Sequence, residues 1–470
     1  MEPDDVRYRT KPWNHQLEAV LDIVNGTYDV FNFGMGSGKS KIVIDAIENL
    51  PGRKFLVVST SNALKYTWPG QIERHGFQDT DYFVLSKGAE SKSSLSVDKK
   101  KQMIMDAWYS KARKVVLIIN YESVWREPVG EMLIRSRFDH LFLDESHLIK
   151  SPSSHVNLYM QRLRRFIPSR PTLMSGTLMA DRPIDVYGQF KFYDPTIYGT
   201  NFNDFKDRYC VYDRWNPHKL VDYKNLEHFQ MILGKYVKVL QTEDVCDLPL
   251  VQQLIHQYVP DINTTRMYKT LKRKGIAYVP NGDTAIVGRN PLARRTRIMQ
   301  LAHGFATDDT GTIQVFGNSR VDETLDLISN MCGKPVVVFT TYKPDVRMLE
   351  EALNRGGITY SKLTGDTDTL QQWKSGNTQV LLANITAAGT SIDLTRADYV
   401  IYYGHSSKRL EMEQSLARIV RPSDERQPRD TPIVVYYLCA DFGKDSIDEV
   451  MVQAYRNKTD IVRAIEEAIS

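Results

Sequence analysis

Short runs of β-branched and aromatic residues alternate with longer amphipathic stretches twice along the chain, and this alternation is the strongest constraint on its fold. In the first half the runs fall at residues 30–33, 55–59, 115–119, 140–143 and 172–175, with helical stretches such as 39–49 and 98–111 between them. In the second half they fall at 335–340, 359–363, 380–384, 399–403 and 433–438. Strands joined through helices return in parallel, and helices on both faces bury the sheet, so such strands read as near-continuous apolar runs. The expected class is α/β, with one doubly wound parallel sheet in residues 1–235 and a second in 321–470.

Residues 236–320 read differently. A charged helix is expected at 261–274, an Asn281-Gly282 turn signals a hairpin, and an arginine-rich helix is expected at 291–303. The segment is read as a mostly helical connector or protruding element.

Composition bounds the function classes. Of 470 residues, 42% are hydrophobic and 25% charged. Apolar runs such as those at 115–119 and 336–339 are far too short to span a bilayer, so no membrane partner is expected. The first residues, Met1-Glu-Pro-Asp-Asp, carry neither the basic nor the apolar region of a secretion signal, and a cytoplasmic location is expected. Cys210, Cys246, Cys332 and Cys439 are widely spaced, which points to buried reduced thiols rather than a metal site. The net charge of +4 is compatible with a polyanionic partner but too small to argue for one.

The chemistry is carried by two motifs. Gly34-Met35-Gly36-Ser37-Gly38-Lys39-Ser40 follows a strand and opens a helix, the context in which a glycine-rich string cradles phosphate. Gly36 and Gly38 let the backbone curl so that N–H groups and the helix N-terminus face an anion. Lys39 is expected to reach the β- and γ-phosphates of ATP, and Ser40 to bind Mg²⁺. Phe33 stands where the strict pattern has glycine. Residues 138–147 form an apolar strand ending in Asp144-Glu145, the strand tip where an α/β sheet places its chemistry. Asp144 is expected to hold Mg²⁺, and Glu145 to orient and deprotonate the attacking water.

Together these motifs resemble helicase superfamily two, and the remaining blocks look like its Snf-type branch of double-stranded DNA translocases. Lys11-Pro12-Trp13-Asn14-His15-Gln16 resembles the adenine-reading segment, with Gln16 as the matching glutamine. Residues 56–60, followed by Trp68, resemble a block that touches the DNA backbone, and 118–122 resemble the next block. Residues 174–178 resemble the coupling motif, followed by similar stretches at 185–190 and 205–210. In the second half, 336–340, 363–366 and 384–394 resemble that lobe's motifs, and Gln414-x-x-x-Arg418-x-x-Arg421 keeps the family spacing.

The resemblance implies two tandem RecA-like lobes that hydrolyse ATP in the cleft between them. It implies nucleotide contacts from Gln16, Gly34, Met35, Gly36, Ser37, Gly38, Lys39 and Ser40, and coupling by Ser175, Gly176, Thr177, Gly389 and Asp393. Arg418 and Arg421, three apart and expected on one helix face with Gln414, would serve as arginine fingers, which can be worth ~10³–10⁵ in rate. Backbone contacts to nucleic acid are expected from Ser59, Thr60, Asn120, Tyr121, Thr340, Thr341 and Thr386. Two clusters, Lys99-Lys100-Lys101 and Arg294-Arg295-Arg297, are further options. Ser391 replaces a family glycine, Asp393 a family asparagine, and Ser423-Asp424 a family Gly-Gln, so the resemblance is to a compact, divergent member such as bacteriophages encode. DNA, duplex or branched, is the expected track, with the host cytoplasm the location of a phage-encoded copy. Three alternatives stay open at this point: an RNA helicase of the same superfamily, a nucleotide-dependent clamp or scaffold with little turnover, and a motor subunit of a restriction or recombination complex. Protein partners are unknown.

Overall fold

The computed structural model describes residues 1–470 except 35, 89–94, 177, 179–181, 215, 217–219, 241–248, 281–283, 389–391, 422–430, 445, 458 and 470, with backbone alone at 387, 388, 463 and 466. The chain forms two compact units, Met1–Asp247 and Leu248–Ser470.

The first unit is built on seven parallel strands: β1 (Val30–Phe33), β2 (Lys54–Ser59), β3 (Thr80–Val84), β4 (Lys114–Asn120), β5 (His140–Asp144), β6 (Thr172–Ser175) and β7 (Val237–Leu240). Their order is β3-β4-β2-β5-β6-β1-β7. The two-residue period of a strand sends Leu56 and Val58 into the core on one face, and Phe55 and Val57 into the core on the other. Helices cover both faces, which is why these runs are apolar throughout.

The second unit carries six parallel strands: β8 (Val251–Tyr258), β9 (Val336–Thr340), β10 (Tyr360–Leu363), β11 (Val380–Asn384), β12 (Tyr399–Tyr402) and β13 (Ile433–Ala440). Their order is β8-β13-β12-β9-β11-β10. The expected class, α/β with two tandem doubly wound parallel sheets, is the one observed.

The segment 236–320 differs from a plain connector. It supplies an edge strand to each sheet, since β7 pairs with β1 and β8 with β13. Edge strands face solvent on one side, so their sequences, Val-Lys-Val-Leu and Val-Gln-Gln-Leu-Ile-His-Gln-Tyr, are mixed rather than wholly apolar. The helices at Ile262–Lys274 and Pro291–Ala302 belong to the second unit. The Asn-Gly turn lies outside the described residues, but the strands flanking it, Ile276–Tyr278 and Ala285–Val287, pair antiparallel as a hairpin requires.

Among the described residues no helix is long and apolar enough to cross a membrane. Cys210, Cys332 and Cys439 are free, and Cys332 is exposed rather than buried, because it follows the Ser319–Asn330 helix in a left-handed turn. Cys246 lies outside the described residues. Trp68 and Trp373 are core residues.

Candidate nucleotide-binding site

The loop after β1 has the backbone that its glycines allow. Gly36 and Gly38 adopt φ of +85° and +78°, a region L-residues rarely enter. Gly38 forms the N-cap of the Lys39–Asn49 helix. Lys39 Nζ donates to the Phe33 carbonyl (3.0 Å) and the Gly34 carbonyl (3.2 Å), which draws the lysine back over the loop. The Ser37 hydroxyl closes the turn on the Gly34 carbonyl (2.9 Å). Met35 lies outside the described residues.

Two side chains from the Asn14–Asn25 helix converge on one carbonyl of this loop. His15 Nε2 lies 2.8 Å from the Ser37 oxygen, and Gln16 Nε2 donates to the same oxygen at 3.2 Å. Turning the Ser37 carbonyl outward leaves the N–H of the same peptide, that of Gly38, facing the opposite way, into the cradle. Burial lowers the His15 pKa, so the neutral ring supplies this contact, with Nε2 as donor. Gln16 Oε1 accepts from the Trp13 N–H (3.0 Å), so both ends of its amide are engaged. Sequence reasoning missed His15. Its signal was its place next to Gln16, one step away on the same helical turn.

The carboxylate pair stands on the same sheet edge. Parallel strands put their C-terminal ends together, and only β6 separates β1 from β5, a spacing of about 10 Å. Asp144 and Glu145 are each 9% exposed. The Ser59 hydroxyl donates to Asp144 Oδ2 at 2.6 Å, and the Tyr121 hydroxyl donates to the Asp144 carbonyl at 2.8 Å. Burial, reinforced by the charges of Asp144 and Glu145, pushes the Tyr121 phenol well above its usual range and keeps it a donor. Glu145 sits at φ +57°, ψ +51°, a conformation that costs a non-glycine residue energy and persists only where the surroundings impose it. His147 Nδ1 lies 3.3 Å from Glu145 Oε2 and 3.1 Å from Ser175 Oγ, so it joins the carboxylate to the end of β6. Buried Gln189 accepts from the Ser146 hydroxyl (2.8 Å) and donates to the Leu178 carbonyl (2.8 Å), tying the carboxylate loop to the segment that follows β6. No role for Gln189 was legible in the sequence. Gly176 follows Ser175, and Thr177 lies outside the described residues.

Several nucleic-acid assignments need correction. Ser59, Tyr121 and Thr340 are 0, 4 and 0% exposed, and their hydroxyls point at Asp144 Oδ2, the Asp144 carbonyl and the Ala383 carbonyl. Their hydroxyls are engaged inside the protein rather than presented at its surface, and the first two brace the carboxylate pair. Thr60 is also buried, and its hydroxyl accepts from the Ala63 N–H. Asn120 and Thr341 remain half-exposed and Thr386 exposed. Of the lysine cluster, Lys100 is tied to the Ser123 hydroxyl and Lys101 to Asp98.

In the second unit, the helix at Arg409–Leu416 carries buried Gln414 but stops at Leu416. Arg418 and Arg421 therefore do not extend that helix face, which the spacing had suggested; Arg418 sits in the turn that follows and Arg421 just beyond it. This stretch is stitched to the block at 384–394. The Leu394 N–H donates to the Arg418 carbonyl (3.0 Å), and the Arg421 guanidinium donates to the Ile392 carbonyl (2.9 Å). Asp393 accepts from the Thr395 N–H (2.9 Å) and hydroxyl (2.8 Å), which shapes the turn between them. Gly389 lies outside the described residues.

The SNF2-related domain matches residues 9–300, and the helicase conserved C-terminal domain matches 319–423. Protein p41 of Acyrthosiphon pisum secondary endosymbiont phage 1 is 21% identical, over 98% of this chain and 99% of p41. The SWI/SNF-related matrix-associated actin-dependent regulator of chromatin subfamily A-like protein 1 of Xenopus laevis is 23% identical over 74% of this chain, and an uncharacterized ATP-dependent helicase of Mycoplasma pneumoniae is 20% identical over 75%. The chain spans 33% of the length of each of these last two. With a phosphate loop and a carboxylate pair on one sheet edge, and both matching domains in tandem, the chain belongs to the SNF2-related family and is an ATPase of the helicase type.

Proposed function

We propose that this chain is a translocase that couples ATP hydrolysis to movement along duplex or branched DNA. The observation that carries the reading is the shared edge of the first sheet, where the phosphate loop and the Asp144-Glu145 pair open side by side. SNF2-related membership and the SWI/SNF-related relatives favour DNA as the track.

Each residue has a task in this reading. Lys39 exchanges the Phe33 and Gly34 carbonyls for phosphate oxygens when ATP enters. Ser40 and Asp144 offer the hard oxygen donors that Mg²⁺ requires, and the ion would neutralise charge on the phosphate oxygens. Glu145, steadied by His147, accepts the proton of the attacking water. Arg418 and Arg421 are the arginine-finger candidates, and the segments around Ser175 and Asp393 are the candidates for coupling.

The test is steady-state ATP hydrolysis without nucleic acid and with single-stranded DNA, duplex DNA, branched DNA or RNA, with Lys39→Ala as control. Stimulation by duplex or branched DNA, abolished in the control, is expected. Stimulation by RNA alone would replace the DNA reading with an RNA helicase. ATP binding without turnover under every condition would make the protein a clamp.

A further inference from the structure

The chain concentrates its positive charge in one place. Residues 262–302 hold nine Lys and Arg against the single Asp283, leaving 52 basic and 56 acidic residues in the rest of the chain. One short stretch is thus net +8, while the remainder is net −4. The segment holds the Ile262–Lys274 and Pro291–Ala302 helices, and between them in the chain the strands Ile276–Tyr278 and Ala285–Val287 pair antiparallel. Arg294 is a structural residue of this pair: its guanidinium caps the Lys272 carbonyl, which brings the end of the first helix to the start of the second.

Six other cations have no such use. Arg266, Lys269 and Arg273 recur at helical spacing and are all exposed, as are Lys274 and Arg289; Arg295 is half-exposed. Among the described residues none of these six forms an ion pair, whereas Arg7, Arg113, Arg162, Arg182 and Lys238 elsewhere each have a carboxylate partner. Uncompensated like charges so close together repel one another, and a polyanion relieves that repulsion. The helix pair is also fastened to the end of β9 and the start of the Lys343–Arg355 helix. His303 Nδ1 lies 2.9 Å from Asp345, which accepts from the Thr341 and Tyr342 N–H groups. The rings of His303 and Phe305 pack edge-on against Tyr342 at 5.2 and 5.7 Å.

We propose that this helix pair is a second nucleic-acid contact surface of the enzyme. It grips the sugar–phosphate backbone of duplex DNA through Arg266, Lys269, Arg273, Lys274, Arg289 and Arg295. The inference rests on the DNA reading above and adds a surface outside the motif blocks of the sequence.

The experiment is equilibrium binding of the full chain to a fluorescent DNA duplex over a series of salt concentrations. Removing one cation that neutralises a phosphate lowers the slope of log K against log[salt] by about 0.9. Arg273→Glu/Lys274→Glu/Arg289→Glu is expected to lower the slope by about 3 and the affinity at ~0.1 M salt by at least tenfold. A charge-matched control, Lys111→Glu/Lys224→Glu/Lys235→Glu, is expected to change the slope by less than one. If the reversal variant melts early, Lys274→Gln/Arg289→Gln supplies the same reading at a slope change of about 2. A wild-type chain that binds duplex with the slope and affinity of the reversal variant overturns the second surface and leaves the DNA reading standing. A wild-type chain that binds no duplex at any salt overturns both.

Discussion

Replacing Ser59 with alanine separates two accounts of the same residue. Its position in a block resembling DNA-contacting motifs points to nucleic acid, whereas its hydroxyl lies 2.6 Å from Asp144 Oδ2 and is wholly buried. A hydrogen bond to a charged group contributes about 1.5–3 kcal/mol, and here its removal leaves a buried carboxylate short of a donor. If the bond serves to hold Asp144 in the geometry that the transition state needs, that energy appears in the barrier. At about 1.4 kcal/mol per decade, ATP turnover falls by roughly 10- to 100-fold. The assay is steady-state hydrolysis at saturating duplex DNA, beside duplex affinity measured in the presence of a non-hydrolysable nucleotide. The structure predicts reduced turnover with unchanged DNA affinity and salt slope. Unchanged turnover together with weakened DNA binding would refute the reasoning and return Ser59 to the nucleic-acid surface.

Three further outcomes follow from particular residues. Gly38→Ala forces an L-residue to φ +78° and drives a methyl group into the Gln16 amide, at a cost of at least ~1–2 kcal/mol, so the KM for ATP should rise about tenfold; an unchanged KM would show that the loop re-forms without that turn. Arg320 and Asp448 form a buried ion pair at 2.7 Å, with Arg320 also donating to the Tyr403, Ala302 and Leu438 carbonyls. Asp448→Asn should lower the unfolding free energy of the second unit by ~3–5 kcal/mol in urea, and a decrease below about 1 kcal/mol would contradict that account. Burial raises the Asp29 pKa to about 6, with the Tyr193 hydroxyl bond opposing it. The folded state therefore binds the proton more tightly than the unfolded state. The stabilisation is complete below about pH 4 and is lost as pH rises through 6, an effect of up to ~3 kcal/mol. Asp29→Asn should accordingly gain stability over wild type at pH 7.5 relative to pH 4, as read from denaturant midpoints, and parallel pH profiles would exclude the effect.

The parts legible in the sequence are those whose chemistry is local. A β-branched run such as 336–339, set between helical stretches, reads as a buried strand because branched side chains suit a pleated sheet covered on both faces. Gly36 and Gly38 announce a left-handed turn because only glycine enters it freely, and Lys39-Ser40 after that turn announces phosphate. Strands β7 and β8 were not legible, since edge strands with one wet face carry no long apolar run. The end of the helix at Leu416 was equally hidden, because the Gln-x-x-x-Arg-x-x-Arg spacing suits a helix face and a helix followed by turns alike.

What only the tertiary structure decided is which side chains share a neighbour. Ser59 and Asp144 are 85 residues apart, and their contact exists because β2 and β5 are adjacent in the sheet. Likewise, His15 and Gln16 become anchors of the Ser37 carbonyl only once their helix lies beside the loop. A motif states the kind of chemistry a residue can do, since that depends on its own atoms and the backbone on either side. Whether a hydroxyl meets DNA or a carboxylate depends on strand order, and strand order is set by the packing of the whole sheet.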